Sequence, residues 1–191
     1  MGYREQRVRL VASDLGVPQE RERVFFVFTL TSAPPVDLTL PAPVSPAPST
    51  RSVIDLDTSL GRWSRWREEY VPASVARIEA ALARQGGPCL VPYYGSESSH
   101  AGWSLDRPRG PLTRRDRFIV VVGARARVLT LPEQRAIAGF PPDYPLAGSR
   151  AAGVEQLGAS VIPACAEFLL GRVLASVGQR RAGAGHAARG S

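Results

Sequence analysis

Six prolines between residues 32 and 50 place the strongest constraint on how this chain can fold. Proline lacks a backbone N–H and fixes its own φ angle, so a stretch this rich in proline does not continue as a helix or as a central strand. We interpret the segment as an extended, polyproline-like connector. It separates an N-terminal part, residues 1–31, from the rest of the chain. The six are Pro34, Pro35, Pro41, Pro43, Pro46 and Pro48.

Two strand-like segments make up the N-terminal part. Arg7 to Val11 alternates charged and apolar residues, which is typical of a half-buried strand. Val24 to Leu30 is a short aromatic and β-branched run, which predicts a strand buried on both faces. The two segments could pair as a hairpin. Because an uncovered strand edge invites aggregation, we expect them to belong to a larger sheet.

Helix and strand signals both follow the connector, and we expect an α/β fold. Ser74 is a candidate N-cap, and Gly86 with Gly87 a candidate C-cap, for one amphipathic helix. Thr130 and Glu133 have the spacing of a capping box at the start of a second helix. Residues 179–191 are rich in Arg, Ala and Gly, and we expect a disordered tail there. The predicted elements are the helix Val75–Arg84, the strand Phe118–Gly123, a short helix after Thr130, and a helix after Pro163.

The charge is strongly basic and is carried by arginine alone. The chain has 24 basic and 17 acidic residues, a formal net charge of +7, and contains neither lysine nor asparagine. Such a surface favours nucleic acid or another polyanion as partner, although charge alone also allows a basic domain without one. The densest patch flanks the predicted strand at Phe118, is opposed only by Asp116, and favours phosphate contact. It comprises Arg107, Arg109, Arg114, Arg115, Arg117, Arg125 and Arg127.

Aromatic and cysteine residues give weaker signals. Trp63 and Trp66 lie among arginines and could stack on bases, but cation–π packing at a domain surface is more common. Cys89 and Cys165 are too few for a disulfide framework or a tetrathiolate zinc site, so no metal site is predicted. No apolar run approaches the ~20 residues of a membrane span. We expect a soluble, cytoplasmic protein associated with the nucleoid.

Three segments, read in order, resemble motifs of one family. Residues 16–25, Gly-Val-Pro-Gln-Glu-Arg-Glu-Arg-Val-Phe, resemble the eighth motif of the DNA cytosine-5 methyltransferases. Residues 127–144 resemble their ninth motif and residues 156–163 their tenth. The order of the motifs, and the spacer between the first and second, make the combination specific.

The resemblance implies a division of the chain. Residues 1–31 would end the sheet of the catalytic domain, and residues 32–126 would be the target-recognition region with its proline-rich connector. Residues 127–178 would return to the catalytic domain. The fold implied is a partial Rossmann-like layer of a methyltransferase dependent on S-adenosylmethionine, with an inserted, loop-rich recognition region.

The resemblance also implies roles for individual residues. Arg23 would polarise the flipped cytosine, with Arg21 and Gln19 as supporting DNA contacts. The alternative is that Arg21 and Arg23 are surface charges that lead into a strand. The arginines Arg114, Arg115 and Arg117 would contact phosphates or bases of duplex DNA. Part of the S-adenosylmethionine pocket would be formed by Gly158, Ala159, Ser160 and Val161, and Ala159 replaces an asparagine of the family.

Family blocks that carry the chemistry are missing from this sequence. It has no Phe-x-Gly-x-Gly cofactor turn, and without asparagine it cannot contain the Glu-Asn-Val block. Pro88-Cys89 imitates the nucleophile motif, but Leu90 follows it in place of Gln, and it lies after the eighth motif. We interpret Cys89 as a buried structural residue.

The resemblance therefore implies a C-terminal segment of a DNA cytosine-5 methyltransferase that is inactive and binds cofactor poorly alone. The missing N-terminal half would be on a separate chain, or the segment would be a truncated remnant. A non-enzymatic DNA-binding module is the alternative. In each case we expect marginal stability or self-association of the isolated chain.

Overall fold

A computed structural model describes the backbone of residues 2–59, 61–92, 102–115 and 117–187, with side chains as far as residue 178. The mixed α/β class predicted from the sequence is confirmed, and both sheets in the described ranges are antiparallel. The strands are β1 (Tyr3–Val11), β2 (Glu22–Leu30), β3 (Ser64–Arg65), β4 (Cys89–Pro92), β5 (Trp103–Ser104), β6 (Phe118–Val122) and β7 (Arg125–Val128). The helices are α1 (Trp66–Glu69), α2 (Pro72–Gln85), α3 (Leu131–Ile137), α4 (Arg150–Ala159) and α5 (Pro163–Ala187).

Strands β1 and β2 form the predicted hairpin. They pair antiparallel along their whole length, from Tyr3 opposite Leu30 to Val11 opposite Glu22. Val8 and Leu10 on the inner face belong to the main hydrophobic core, and Phe25 packs against it. Within the described residues the two strands pair only with each other, so the expectation of a larger sheet is wrong for this chain.

The opposite face of the hairpin is exposed and largely apolar, and we call it the outer face. Because successive residues of a strand point to opposite sides, four alternate residues of β2 lie here, with Tyr3 of β1 beside them. These five side chains are 38–68% exposed. The prediction that β2 is buried on both faces is therefore wrong, because no described segment covers this side. The four β2 residues are Val24, Phe26, Phe28 and Leu30.

The proline-rich connector is extended, as predicted, and has no helix or strand over residues 34–49. Hydrogen bonds nevertheless anchor it to the hairpin and to α5. The amide of Gln6 donates to the carbonyl of Val36 and accepts from its N–H, each at 2.8 Å. From α5, Arg172 donates to the carbonyl of Thr39 at 2.6 Å. The connector thus joins the hairpin to α5.

A five-stranded sheet in the order β3-β7-β6-β4-β5 forms the second unit of structure. Its own core contains Trp66, Ile78 and Val121, and α2 packs against it through Ile78 and Ala81. This sheet lies within the predicted recognition region, except that β7 runs on to Val128, two residues beyond the predicted boundary.

The helices follow the sequence signals in part. Helix α2 begins at Pro72 with Val71 in the cap position, so the Ser74 cap is wrong, whereas Gly86 at φ 70° ends it as predicted. The capping box of Thr130 and Glu133 is present on α3. Helix α4 was not predicted, and α5 continues through residues 179–187, where a disordered tail was expected. In the described ranges no single helix is long and apolar enough to span a membrane. Within the same ranges, only the bent pair of α4 with residues 163–178 has the length and composition of a membrane span.

Candidate nucleic-acid interface

The eighth-motif segment is held by backbone hydrogen bonds against the segment that contains Arg109. The Glu20 N–H donates to the carbonyl of Arg109 at 2.7 Å, and the Arg109 N–H donates to the carbonyl of Pro18 at 3.2 Å. Gln19 and Arg109 form an isolated parallel bridge. Backbone pairing therefore connects two segments that lie about 90 residues apart in the sequence.

Arg21 is buried and makes its contacts with backbone carbonyls. Its side chain is 2% exposed. Nη1 donates to the carbonyl of Leu112 at 3.3 Å, and Nη2 donates to the carbonyls of Gly158 and Ser160, both at 2.9 Å. Burial, and after it the charge of Arg23, lowers the pKa of Arg21, but a guanidinium stays charged at neutral pH. We call this arrangement of Arg21 with its three carbonyls the guanidinium clamp.

Of the three eighth-motif residues predicted to contact DNA, only Arg23 is exposed. Gln19 is fully buried, and its amide lies 3.5 Å from the carbonyl of Ile137. Arg23 donates to the carbonyl of its neighbour Glu22, and its guanidinium otherwise faces solvent. As the structure places them, Gln19 and Arg21 support the fold and Arg23 is accessible to a ligand.

The three arginines predicted to contact DNA lie together on the surface. Arg114, Arg115 and Arg117 are all exposed, and we call them the arginine run. Arg114 approaches Glu155 of α4, with Nε 3.7 Å from Oε1. Beside it, Gly158 lies so close that a Cβ would be 2.4 Å from the carbonyl carbon of Thr113. The end of α4 therefore packs directly on the backbone that carries the run.

Two further arginines of the predicted basic patch are less accessible to a ligand than the sequence indicates. Arg109 is 2% exposed and lies over the ring of Phe118, with its Cζ 4.0 Å from the centroid. Arg127 forms a bidentate ion pair with Glu133, in which Nη2 lies 2.6 Å from Oε1 and Nη1 lies 2.8 Å from Oε2. Asp116, predicted to be the one opposing acid, lies outside the described residues. Within the patch, Arg107 is exposed along with Arg114, Arg115 and Arg117.

Both tryptophans pack beside arginine, as the more common interpretation predicted. The Cζ of Arg127 lies 4.7 Å from the ring centroid of Trp63, and that of Arg67 lies 4.5 Å from Trp66. Trp66 is 1% exposed and donates from Nε1 to the carbonyl of Gly123 at 2.9 Å. A side chain this deeply buried cannot stack on a base.

Cys89 does not have the properties of a catalytic nucleophile. It lies in β4 with no exposed surface, and burial raises the pKa of its thiol to about 11. At neutral pH about one molecule in ten thousand would carry the reactive thiolate. Cys165 is also buried, and burial raises the pKa of its thiol, an effect that Arg21 and Arg23 partly offset.

Residues 158–161 do not form a cofactor site by themselves. The carbonyls of Gly158 and Ser160 accept from the guanidinium clamp, and the Ser160 hydroxyl donates to the carbonyl of Leu157 at 2.8 Å. The exposed members, Ala159 and Val161, have apolar side chains. These residues can therefore supply an apolar contact to S-adenosylmethionine, but no free side-chain donor; the hydroxyl oxygen of Ser160 is the side-chain acceptor among them.

The environment of Glu133 predicts that the chain loses unfolding free energy in acid. Burial acts to raise the pKa of Glu133, but hydrogen bonds from Arg127 and Thr130 outweigh it and hold the pKa below its ordinary 4.5. A carboxyl group whose pKa is lower in the folded state than in the unfolded state stabilises the fold above pH 4.5. This stabilisation is lost as the pH falls through the pKa of the folded state. Glu133→Gln should therefore cost about 2 kcal/mol of unfolding free energy at pH 7, with the difference from wild type shrinking below pH 4.5. Urea unfolding across this range measures it, and a constant difference would contradict it.

Comparisons with known proteins test the family resemblance that the motif order indicated. The profile of the family described as C-5 cytosine-specific DNA methylase matches residues 1–175. The chain belongs to this family. No curated protein matches the chain. A solved structure of the methyltransferase EhMeth from Entamoeba histolytica is 16% identical, with a TM-score of 0.46, over 90% of this chain and 54% of that one. This member of the family spans about half the length of EhMeth.

Two residues that shape the candidate interface in this C-5 cytosine-specific DNA methylase chain were not predicted from the sequence. Glu155 was not considered, because α4 was not predicted, yet Ser149 at its N-cap was a readable signal. Leu112 contributes its carbonyl to the clamp, and no sequence pattern reports the use of a main-chain group.

Proposed function

We propose that this chain is the C-terminal, target-recognising part of a DNA cytosine-5 methyltransferase. The observation that carries the proposal is the family match across residues 1–175. The exposed arginine run, in the region expected to recognise the target, supports duplex DNA as the ligand. S-adenosylmethionine would be the methyl donor, as the family implies.

Arg23 is the residue that we assign to the target cytosine. A base in a duplex must leave the stack before its ring carbon can be attacked. A guanidinium placed at the exocyclic oxygen of the flipped base stabilises negative charge that develops there. Arg23 is the exposed cation of its motif, which suits it to this role. The nucleophile and the cofactor turn would come from another polypeptide segment, because this sequence lacks both blocks.

The outer face is the surface that we assign to that catalytic segment. On β1 this face carries the charged residues Glu5, Arg7 and Arg9, whereas on β2 it carries the apolar column from Val24 to Leu30. Charges disfavour pairing at a strand edge, so the free edge of β2 is the better place for an added strand. A strand there, with a layer packed over the column, would bury the exposed phenylalanines. The missing catalytic sheet supplies both.

Reconstitution tests the proposal. The chain is co-expressed with an upstream-encoded polypeptide that bears the Phe-x-Gly-x-Gly and Pro-Cys-Gln blocks, and cytosine methylation of duplex DNA is measured. We expect no methylation with the chain alone and methylation with both. Phe28→Glu, on the outer face, should abolish it because it buries a charge in the interface. Leu170→Glu is the matched control, since Leu170 is 61% exposed on α5 and Phe28 is 59% exposed.

Two results would each overturn one part of the proposal. Methylation by the purified chain alone would show that no further segment is needed, and Cys89→Ser would then identify the nucleophile. Equal activity of Phe28→Glu and Leu170→Glu would remove the outer face as the docking surface while leaving the methyltransferase assignment intact.

A non-enzymatic DNA-binding module is the second candidate, favoured by the burial of the chain's Pro-Cys cysteine. In this case the chain binds duplex DNA in a salt-dependent way, and reconstitution yields no methylation. DNA binding with methylation supports the first candidate. Binding without methylation supports the second, and absence of binding at low salt contradicts both.

A further inference from the structure

We propose that Arg21 is a positioning residue, which sets the arginine run relative to Arg23 and does not itself contact DNA. The inference rests on the DNA-binding role proposed above. It assigns to the buried arginine of the motif a task different from that of its exposed neighbour.

The guanidinium clamp lies at the junction of the two groups expected to face DNA. Arg21 precedes Arg23 by two residues, and its Nη1 donates to the carbonyl of Leu112, two residues before Arg114. Its Nη2 donates to the carbonyls of Gly158 and Ser160 at the end of α4. One side chain thus connects three segments that are distant in sequence.

Further contacts hold the same three segments together. The Glu20 N–H donates to the carbonyl of Arg109, which joins the segment of Arg21 to the one that leads to Leu112. Gly158 packs on the backbone of Thr113 and Arg114, and Glu155 of α4 approaches Arg114. The arginine run therefore begins from backbone that is fixed on two sides.

An arginine suits this task, and a lysine does not. The planar guanidinium has five donors in a rigid fork, so it can bond carbonyls of two segments together. An ammonium group has three donors, but it sits on a shorter stem and lacks the rigid fork, so it does not reproduce the geometry that bonds both segments. Burial of the guanidinium, at 2% exposure, also removes it from any phosphate outside.

The charge-conserving variant Arg21→Lys separates positioning from contact. Binding of the full chain to a fluorescent 20-base-pair duplex is measured from 50 to 300 mM salt. Each phosphate contact contributes about 0.9 to the slope of log affinity against log salt. If Arg21 positions the arginine run, the variant should lose about 1 to 2 units of slope although no charge is removed. Arg84→Lys, at an exposed position on α2, is the matched control and should keep the wild-type slope.

Limited proteolysis provides a readout that does not depend on DNA. Trypsin cleaves after Arg114 and Arg115, and cleavage after Arg84 is the internal reference. Arg21→Lys should accelerate cleavage at the arginine run several-fold relative to Arg84, because the run loses its anchor at Leu112. If wild type fails to bind DNA, the proposed function fails, and this comparison still decides whether Arg21 positions the run.

A measurement on the wild-type chain covers the case in which the variant does not fold. Side-chain NMR of the arginines follows the guanidinium signals during titration with the duplex. Signals of Arg21 should exchange slowly and remain unshifted, while those of Arg23 and the arginine run move. A shift of Arg21 comparable with that of Arg23, or an unchanged slope and cleavage pattern in a folded Arg21→Lys variant, would overturn the proposal.

Discussion

Gly158→Ala is expected to lower the unfolding free energy by about 3 kcal/mol or more. A Cβ at this position would lie 2.4 Å from both the carbonyl carbon and oxygen of Thr113, and 2.5 Å from the amide nitrogen of Arg114. All three atoms are backbone, so no side-chain rotation can make room. Either α4 or the segment before β6 must move, and the movement would disturb the guanidinium clamp that bonds the Gly158 carbonyl.

Gly171→Ala is the matched control, because it makes the same change in a helix where the added methyl group meets nothing within 4 Å. There the substitution should raise the unfolding free energy by about 0.5–1 kcal/mol through the higher helix propensity of alanine. Urea unfolding followed by circular dichroism measures both variants. Equal stability of Gly158→Ala and wild type would mean that α4 does not contact the arginine run as described.

Trp66→Ala is expected to lower the unfolding free energy by about 3–5 kcal/mol. Trp66 is the largest side chain in the core of the five-stranded sheet and is 1% exposed. Its loss leaves a cavity between α1 and the sheet, and it leaves the carbonyl of Gly123 without the indole donor.

The control for this prediction is Trp103→Ala, since Trp103 is 39% exposed and contacts Phe118 edge to face. It should cost about 1 kcal/mol. Trp66→Phe keeps most of the volume and should fall between the two. Chemical denaturation measures all three, and a Trp66→Ala variant as stable as Trp103→Ala would argue against a core centred on Trp66.

Signals that act within a few residues were predictable from the sequence. The capping box of Thr130 and Glu133 and the terminator Gly86 are local hydrogen-bond and backbone preferences, and both are present. Alternation in β1 indicated its buried face at Val8 and Leu10. The motif order indicated the family, which the profile match over residues 1–175 shows.

Burial and accessibility, which depend on contacts with distant segments, were predicted incompletely or wrongly from the sequence. The aromatic run of β2 predicted burial on both sides, but composition does not specify what covers a face, and the outer face is exposed. The arginines around β6 looked like one patch. Arg109 is instead buried against Phe118, and Arg127 is bound by Glu133.

By itself, the sequence determined the hairpin strands, the strand β6 and the helices α2 and α3, that the charge is carried by arginine, and which motifs occur in which order. Only the tertiary structure decided which arginines are accessible: Arg21 is buried among carbonyls, and Arg23, two residues further on, faces solvent. The physical reason is that burial and carbonyl contacts come from Leu112, Gly158 and Ser160. These main-chain groups have no side-chain signature, and they meet Arg21 only once the chain has folded.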